Sequence, residues 1–367
     1  MLVDLDYFFA QLEELRNPSL KKRPLVVCVY SGRTEDSGAV STANYLAREF
    51  GVKSGMPIFR AKKKLENNDA VFLPVDYDFY EEMCEKVMKI FRKHAGRFEQ
   101  VGIDEAYLDV TDKTSGRFED ARALASEIKK ELKVVLRLTC SIGIGPNKLV
   151  AKIAADIQKP DGVTVVEPPQ VESFLSPLST EKLIGVGVKT REKMQALGIH
   201  TIGDLAKFDV QKLIATYGKT LGTYFHNASL GIDDEPVEER GEAESFSRIS
   251  TLKQNTRDLN TIFERVTPLC NNIHDTIMKE KLLFRTIGIN AVMDDLSTHT
   301  RSKTLESPSN NLELMFNVVR ELFGKFLKET DREVRRVGIR VSNFTKEEIG
   351  QKQLTSFIER KSDFSTV

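Results

Sequence analysis

Tryptophan is absent from the 367-residue chain, and nothing follows from that. The other scarcities exclude more. Only four cysteines occur (Cys28, Cys84, Cys140 and Cys270), far apart and without a CxxC pair. A disulfide framework or zinc site is therefore not expected, only buried or surface thiols in a reducing compartment. No run approaches the ~18 apolar residues of a membrane span, and aspartates occupy the start where a signal peptide needs an apolar stretch. No membrane partner is expected, and the chain is assigned to the cytoplasm or nucleus, the cytoplasm being preferred. There is no surplus of either charge: 54 Lys+Arg face 54 Asp+Glu. That argues against a binder coated with positive charge but leaves local patches free to hold nucleic acid. What is present is ordinary for a soluble protein, 40% hydrophobic and 29% charged residues in 41.5 kDa. At roughly 100–200 residues per domain, two to four domains are expected.

Strand and helix signals alternate over the first 160 residues. Leu2–Tyr7 reads as a strand, with helical spacing following from Phe8 to Leu15. Pro24–Tyr30 is a nearly all-apolar strand of the kind covered on both faces. Ala39–Phe50 reads as a helix ended by Gly51, and a basic helix is expected within 56–71. Residues 77–95 form a long amphipathic helix. Strands are expected at 98–101, 105–110 and 138–144, and helices at 117–132 and 147–157. A split β-α-β-β-α-β arrangement with residues 18–70 inserted accounts for this order. Residues 163–235 hold short helices and several glycines. The polar, acidic stretch from Asp233 to Glu244 reads as a linker. An α/β pattern returns over 246–342: strands at 246–252, 283–293 and 334–344, with helices at 258–280 and 311–328.

Six motifs carry chemical meaning, each with an ordinary alternative. Asp4 and Asp6 share one face of the first strand, where they serve either as solvent-facing charges or as members of a site. Asp104-Glu105 lies at a turn between two strands, which suits a metal site or a surface turn equally. If both strands are central in one sheet, Asp4, Asp104 and Glu105 can converge. Clustered carboxylates repel unless a cation neutralises them, and hard oxygen ligands select Mg²⁺ or Mn²⁺. Two such ions about 3.5–4 Å apart serve in-line nucleotidyl transfer. Tyr45 and Arg48, three apart, share a helix face and can grip a polyphosphate, or form a surface pair. Lys159, before Pro160, is a further candidate cation with the same ambiguity. Gly185-Val186-Gly187, followed by Lys189, makes a hairpin that leaves amides free for a phosphate or merely permits a turn. Arg336 and Arg340 share one face of a late strand, with Arg335 on the other. In the tail, Gln351, Leu354, Phe357 and Ile358 have the spacing of a one-turn helix that docks in a partner's groove, or belong to a nondescript tail.

These segments, in order, resemble the Y-family DNA polymerases, the lesion-bypass enzymes, in their DNA polymerase IV-like branch and most like its archaeal members. The resemblance runs from Val3 to about Phe344. It is carried by VDLDYFFAQLEEL (3–15), SGAVSTANYLAREFGVKSGMP (37–57), IDEAYLD (103–109), GPNKLVAKIAAD…KPDG (145–162), GVGVKTREKMQALGI (185–199) and RRVGIRVSNF (335–344). It implies a multidomain α/β right-hand polymerase with a ferredoxin-like palm (1–17 and 72–160) and small fingers (18–71). A helical thumb with a helix-hairpin-helix (161–235), a linker (236–243), an α/β little finger (244–344) and a flexible tail (345–367) complete it. Asp4, Asp104 and Glu105 match the metal-ligand positions, with Leu5 lending its carbonyl to two Mg²⁺ ions, for which Mn²⁺ can substitute. Thr42, Tyr45, Arg48 and Lys159 match positions that hold the incoming triphosphate. Phe9 falls at the steric gate against ribonucleotides, although by itself it reads equally as a core aromatic. Gly185, Gly187, Lys189, Arg335 and Arg336 would meet DNA. The tail motif resembles a sliding-clamp-binding peptide.

The implied activity is template-directed addition of dNTPs to a primer–template by a monomer, with low fidelity, lesion bypass and no proofreading. Two departures stand out. Gly102 replaces the usual Ser before Ile-Asp-Glu, and the first strand begins almost at Met1, so a few N-terminal residues are expected to be missing. Two other classes fit part of the pattern. A clamp-tethered DNA-binding module without catalysis would lack one of the acids. A nucleotide cyclase would have no use for the hairpin, the basic strand or the tail.

Overall fold

The opening LVDL run folds as a strand, β1 (Leu2–Leu5), with Leu2, Val3 and Leu5 buried. It is the centre of the sheet that carries most of the expected acidic residues. The structure is a computed structural model, and it describes residues 1–239, 241 and 243–346. Its contacts divide the chain into two units. One comprises residues 1–29 and 38–241; the other comprises residues 30–37 and those from 242 on.

In the first unit, β1 leads through α1 (Phe8–Arg16) into β2 (Leu25–Tyr30), β3 (Gly38–Ala43), α2 (Tyr45–Glu49), α3 (Ile58–Lys64) and β4 (Val71–Pro74). The chain continues through α4 (Tyr77–His94), β5 (Arg97–Gln100), β6 (Glu105–Asp109), α5 (Thr111–Thr114), α6 (Phe118–Leu136), β7 (Cys140–Ile144), α7 (Lys148–Ala155) and β8 (Val163–Val165). The principal sheet has the order β5-β6-β1-β7-β8. β1 runs antiparallel to both β6 and β7, so β5, β6, β1 and β7 have the order of a split β-α-β-β-α-β sheet. β8 adds a fifth strand, parallel to β7, beyond the expected end at residue 160.

Amphipathic spacing places Tyr80, Val87 and Phe91 of α4 and Ile128 and Leu132 of α6 in one core with Val3, Leu5 and Phe8. α7 lies against Leu2 and Tyr107, which point the other way by strand alternation. Gly143 makes that approach possible. A Cβ there would sit 2.0 Å from the carbonyl oxygen of Ala151, so only glycine lets the helix backbone come this close.

The inserted segment forms a small sheet, β3-β2-β4, with β2 and β4 parallel. This corrects the single helix expected over 39–50. Gly38–Ala43 is a strand and the helix starts only at Tyr45. The physical reason is Asn44. Its side chain accepts from the amides of both Ala47 and Leu25, which caps α2 and ties the preceding residue to β2. Val40 and Thr42, β-branched, suit the strand. Five short helices complete this unit: α8 (Val171–Leu175), α9 (Val188–Ala196), α10 (Ile202–Lys207), α11 (Val210–Tyr217) and α12 (Lys219–Ser229), around a core that includes Leu183, Met194, Leu205 and Phe225.

The second unit is a four-stranded antiparallel sheet covered by two helices: β9 (Ser245–Thr256), α13 (Leu259–Glu280), β10 (Leu282–Met293), β11 (Thr298–Ser309), α14 (Leu312–Phe326) and β12 (Val334–Lys346). The order is β11-β10-β12-β9. β11 was not expected. It is an edge strand, almost wholly exposed, so no face of it carries an apolar alternation to be read.

Candidate active site

Antiparallel pairing sets the geometry. Asp4 stands opposite Glu105 on one side and Ser141 on the other, and the Leu5 amide donates to the Asp104 carbonyl at 2.9 Å. Asp4 and Asp104 therefore meet from positions a hundred residues apart. Both line a cavity of about 200 Å³ with Leu5, Phe9, Thr42, Tyr45, Arg48 and Lys159. The cavity joins carboxylates from the large sheet to basic and aromatic residues of the inserted segment.

Burial is the largest influence on Asp4 and raises its pKa to about 6. The ammonium of Lys159, 2.8 Å away, opposes the rise, while Asp104 and Glu105 add to it. Asp104 is raised for the same reasons, burial first and then Glu105. Burial alone would lower Lys159. The carboxylates of Asp4 and Asp156 outweigh it and hold the ammonium above its usual range.

Glu105 behaves differently from its two expected partners. It turns toward α7, where the Lys152 ammonium bonds both of its oxygens at 2.9 and 2.7 Å. Among the described residues, no three His, Cys, Asp or Glu side chains are gathered as a ready metal cage. Asp4 and Asp104 are brought together; Glu105 is adjacent but engaged elsewhere.

Tyr45 and Arg48 share α2, and the guanidinium lies over the Tyr45 ring, 5.0 Å from its centroid. Arg48 Nε also donates to the Ala43 carbonyl at 2.9 Å, which fixes the head group at the cavity wall. The Tyr45 hydroxyl is buried without a hydrogen-bond partner among the described residues, and burial raises its pKa. Thr42 ends nearly buried on β3. Phe9 lines the cavity and stacks on Tyr80 with centroids 4.2 Å apart.

The remaining expected residues lie elsewhere. Gly185 has φ +83°, a left-handed turn that favours glycine, and Gly187 precedes α9, whose Lys189 is exposed. In the second unit Arg336 and Arg340 are exposed on the face opposite buried Val337 and Ile339, while Arg335 is half-buried. Gln351, Leu354, Phe357 and Ile358 lie outside the described residues. Sequence reasoning did not single out Tyr7, Ser41 and Ser54, which also line the cavity, or Lys152. Lys152 gave no local signal because its partner is 47 residues away. Asp6 gave a partial one. It is 1% exposed and accepts from the Ser141 hydroxyl at 2.7 Å and the Asp161 amide at 2.9 Å, so it is the aspartate that had to find partners.

An acid pair at the central strands of such a sheet, faced by cations and a buried tyrosine, is an arrangement suited to phosphoryl or nucleotidyl transfer. The comparisons with known proteins agree. A family model described as "impB/mucB/samB family" matches residues 3–156, its C-terminal-domain counterpart matches 243–356, and "DNA polymerase-iota, thumb domain" matches 181–233. The DNA polymerase IV of Nitrosopumilus maritimus is 46% identical over 97% of this chain and 98% of its own length. DNA polymerase IV 1 of Methanosarcina mazei is 44% identical over the same shares. The Y-family DNA polymerase chimera Dbh-Dpo4(243-245)-Dbh superposes with a TM-score of 0.88 at 37% identity, over 94% of this chain and 99% of that one. DinB from Sulfolobus solfataricus does so with a TM-score of 0.64 at 35% identity over the same shares. The chain belongs to the Y family of DNA polymerases, in its DNA polymerase IV branch, and is a DNA-directed DNA polymerase of the translesion class. No helix among the described residues is long and apolar enough to cross a membrane.

Proposed function

We propose that the cavity formed by Asp4, Asp104, Tyr45, Arg48 and Lys159 is where this polymerase joins a dNTP to a primer 3′ end. The observation that carries the reading is the juxtaposition of two partly desolvated carboxylates with two cations and an unpartnered tyrosine hydroxyl in one cavity. Arg48, Lys159 and Tyr45 orient the triphosphate by charge-assisted hydrogen bonds. Phe9, held by its stack on Tyr80, excludes a 2′-hydroxyl. Synthesis proceeds without proofreading and with low fidelity, as membership of the family implies.

The donor set fits divalent metal. Asp4, Asp104 and Glu105 offer hard oxygens, and burial, then the neighbouring acids, raises Asp4 and Asp104, a cost that a bound cation would relieve. Asp4, Asp104, Glu105 and the Leu5 carbonyl would hold two Mg²⁺ ions, replaceable by Mn²⁺, with Glu105 leaving Lys152 to join them. Such ions, when bound, supply Lewis acidity to the primer hydroxyl and the phosphates. Lys159, paired with Asp4 at 2.8 Å, would be the cation free to turn to the triphosphate.

The palm comprises 1–17 and 72–160, the fingers 18–71, the thumb 161–235, whose β8 pairs with the edge of the palm sheet, the linker 236–243 and the little finger 244–344. Primer–template DNA meets Gly185, Gly187 and Lys189 through its backbone and Arg335 and Arg336 near the template. The enzyme works as a cytoplasmic monomer that a sliding clamp recruits through Gln351, Leu354, Phe357 and Ile358. The test is primer extension on undamaged and abasic templates with Mg²⁺ and four dNTPs, wild type beside Asp104→Ala. Extension past the lesion that vanishes in the variant, with DNA binding retained, supports the reading. Extension by the variant at near the wild-type rate would overturn it.

A further inference from the structure

We infer that Asp161, gripped between Asp6 and Lys129, is a clamp that sets the position of Lys159 against the phosphates of the incoming nucleotide, and that Lys129 is a positioning residue for this step. The inference rests on the role just given to Lys159. Lys159 reaches the cavity from the short connection between α7 and β8, and three features remove slack from that connection.

The first is the backbone of Asp161, which lies in the left-handed region at φ +56°. Aspartate is one of the few residues other than glycine that visit this region, where its short polar side chain can bond locally. All of its polar groups are held. The amide donates to Asp6 Oδ2 at 2.9 Å. The carbonyl accepts from the Lys129 ammonium. The carboxylate pairs with the same ammonium at 2.9 Å. Lys129 also reaches the Gly162 carbonyl at 3.3 Å, so one lysine spans three acceptors of one loop.

The second feature is that the other jaw is immobile. Asp6 is buried, and its Oδ1 is engaged by the Ser141 hydroxyl of β7. The third is how tightly the loop doubles back. A Cβ at Gly162 would lie 2.0 Å from the Gln158 carbonyl oxygen. With Asp161 held from both sides and Gly162 close against the Gln158 carbonyl, the loop carries the Lys159 side chain to where its ammonium lies 2.8 Å from Asp4.

Lys129 itself comes from the middle of α6 and does not line the cavity. Its side chain is 17% exposed, unlike a solvated surface lysine that exchanges partners freely. The arrangement therefore explains how a residue outside the cavity bears on nucleotide binding without touching the nucleotide.

The test measures binding of a non-hydrolysable dNTP analogue, with Mg²⁺, to the enzyme on a dideoxy-terminated primer–template, so that no chemistry intervenes. Lys159→Met and Lys129→Met are each expected to weaken the analogue ~10-fold, the loss of one charge-assisted hydrogen bond. Primer–template affinity should move less than ~2-fold, and Lys129→Arg should recover most of the loss because it keeps a cation at the carbonyls. Asp161→Gly keeps the backbone grips without strain and loses the ion pair, so it should stay as thermally stable as wild type and bind the analogue ~3-fold more weakly. This variant answers the question even if Lys129→Met does not fold. If Lys159→Met weakens the analogue while Lys129→Met and Asp161→Gly, both folded, bind it as wild type does, the clamp is refuted and Lys159 keeps its role. Unaltered binding by Lys159→Met overturns that role and the clamp with it. A Lys129→Met defect that extends equally to DNA binding and is not rescued by arginine overturns the clamp as well, by making Lys129 merely structural.

Discussion

Replacing Asp4 by asparagine should abolish extension yet make the metal-free protein more stable at neutral pH. Burial raises the Asp4 pKa from 3.8 to about 6. Between these values the folded protein binds more protons than the unfolded chain, so stability falls as pH rises through that window. Above about pH 6 the full penalty is in place. A difference of about 2 units at 1.36 kcal/mol each makes it about 3 kcal/mol. The Lys159 attraction is already inside that difference, so a neutral isostere removes the penalty as a whole. Asp4→Asn should thus unfold at a temperature ~6–12 °C higher than wild type at pH 7.5 in EDTA, taking 2–4 °C per kcal/mol for a unit of this size. The gain should shrink to nothing below pH 3.8, where wild-type Asp4 is protonated in both states. Added Mg²⁺ should then stabilise wild type and not the variant. Differential scanning calorimetry at pH 3.5 and 7.5, with and without metal, gives all four numbers. A variant no more stable than wild type at pH 7.5 in EDTA would show that Lys159 already neutralises Asp4, and the reasoning from desolvation would fail.

Phe9→Ala should admit ribonucleotides and, through loss of the half-buried stack on Tyr80, lower stability by ~1–2 kcal/mol; single-nucleotide insertion of dNTP against rNTP checks the first effect, and unchanged sugar selection would leave Phe9 a core residue only. Gly143→Ala should cost at least ~3 kcal/mol because its methyl would meet the α7 backbone, not a movable side chain; urea unfolding with a midpoint near wild type would contradict the close approach. Removing residues 347–367 should leave the basal extension rate unaltered and abolish stimulation by the cognate sliding clamp, and a fall in the basal rate without clamp would assign the tail another role.

Much of the molecule was legible in one dimension. Long helices such as α4 and α13 carry their periodicity within themselves, and the acidic motifs stand out because buried carboxylates need a reason. Short segments did not yield in the same way. Gly38–Ala43 became a strand because β2 stands beside it to pair with, Asn44 and Leu25 bonding each other where the two strands meet, a choice made by neighbours and not by local propensity. Thr298–Ser309 is a strand with almost nothing buried, so it left no pattern to read.

The sequence by itself determined the family, the order of the segments and which acids and cations to suspect, since these depend on residue types and spacing along the chain. Only the tertiary structure decided how they meet. Pairing of β1 with β6 brought Asp4 to Asp104, α7 turned Glu105 toward Lys152, and α6 supplied Lys129 to the loop that carries Lys159. Each of these contacts joins residues far apart in the chain, and strand register and helix packing, which set such distances, are properties of the whole fold and not of any local run.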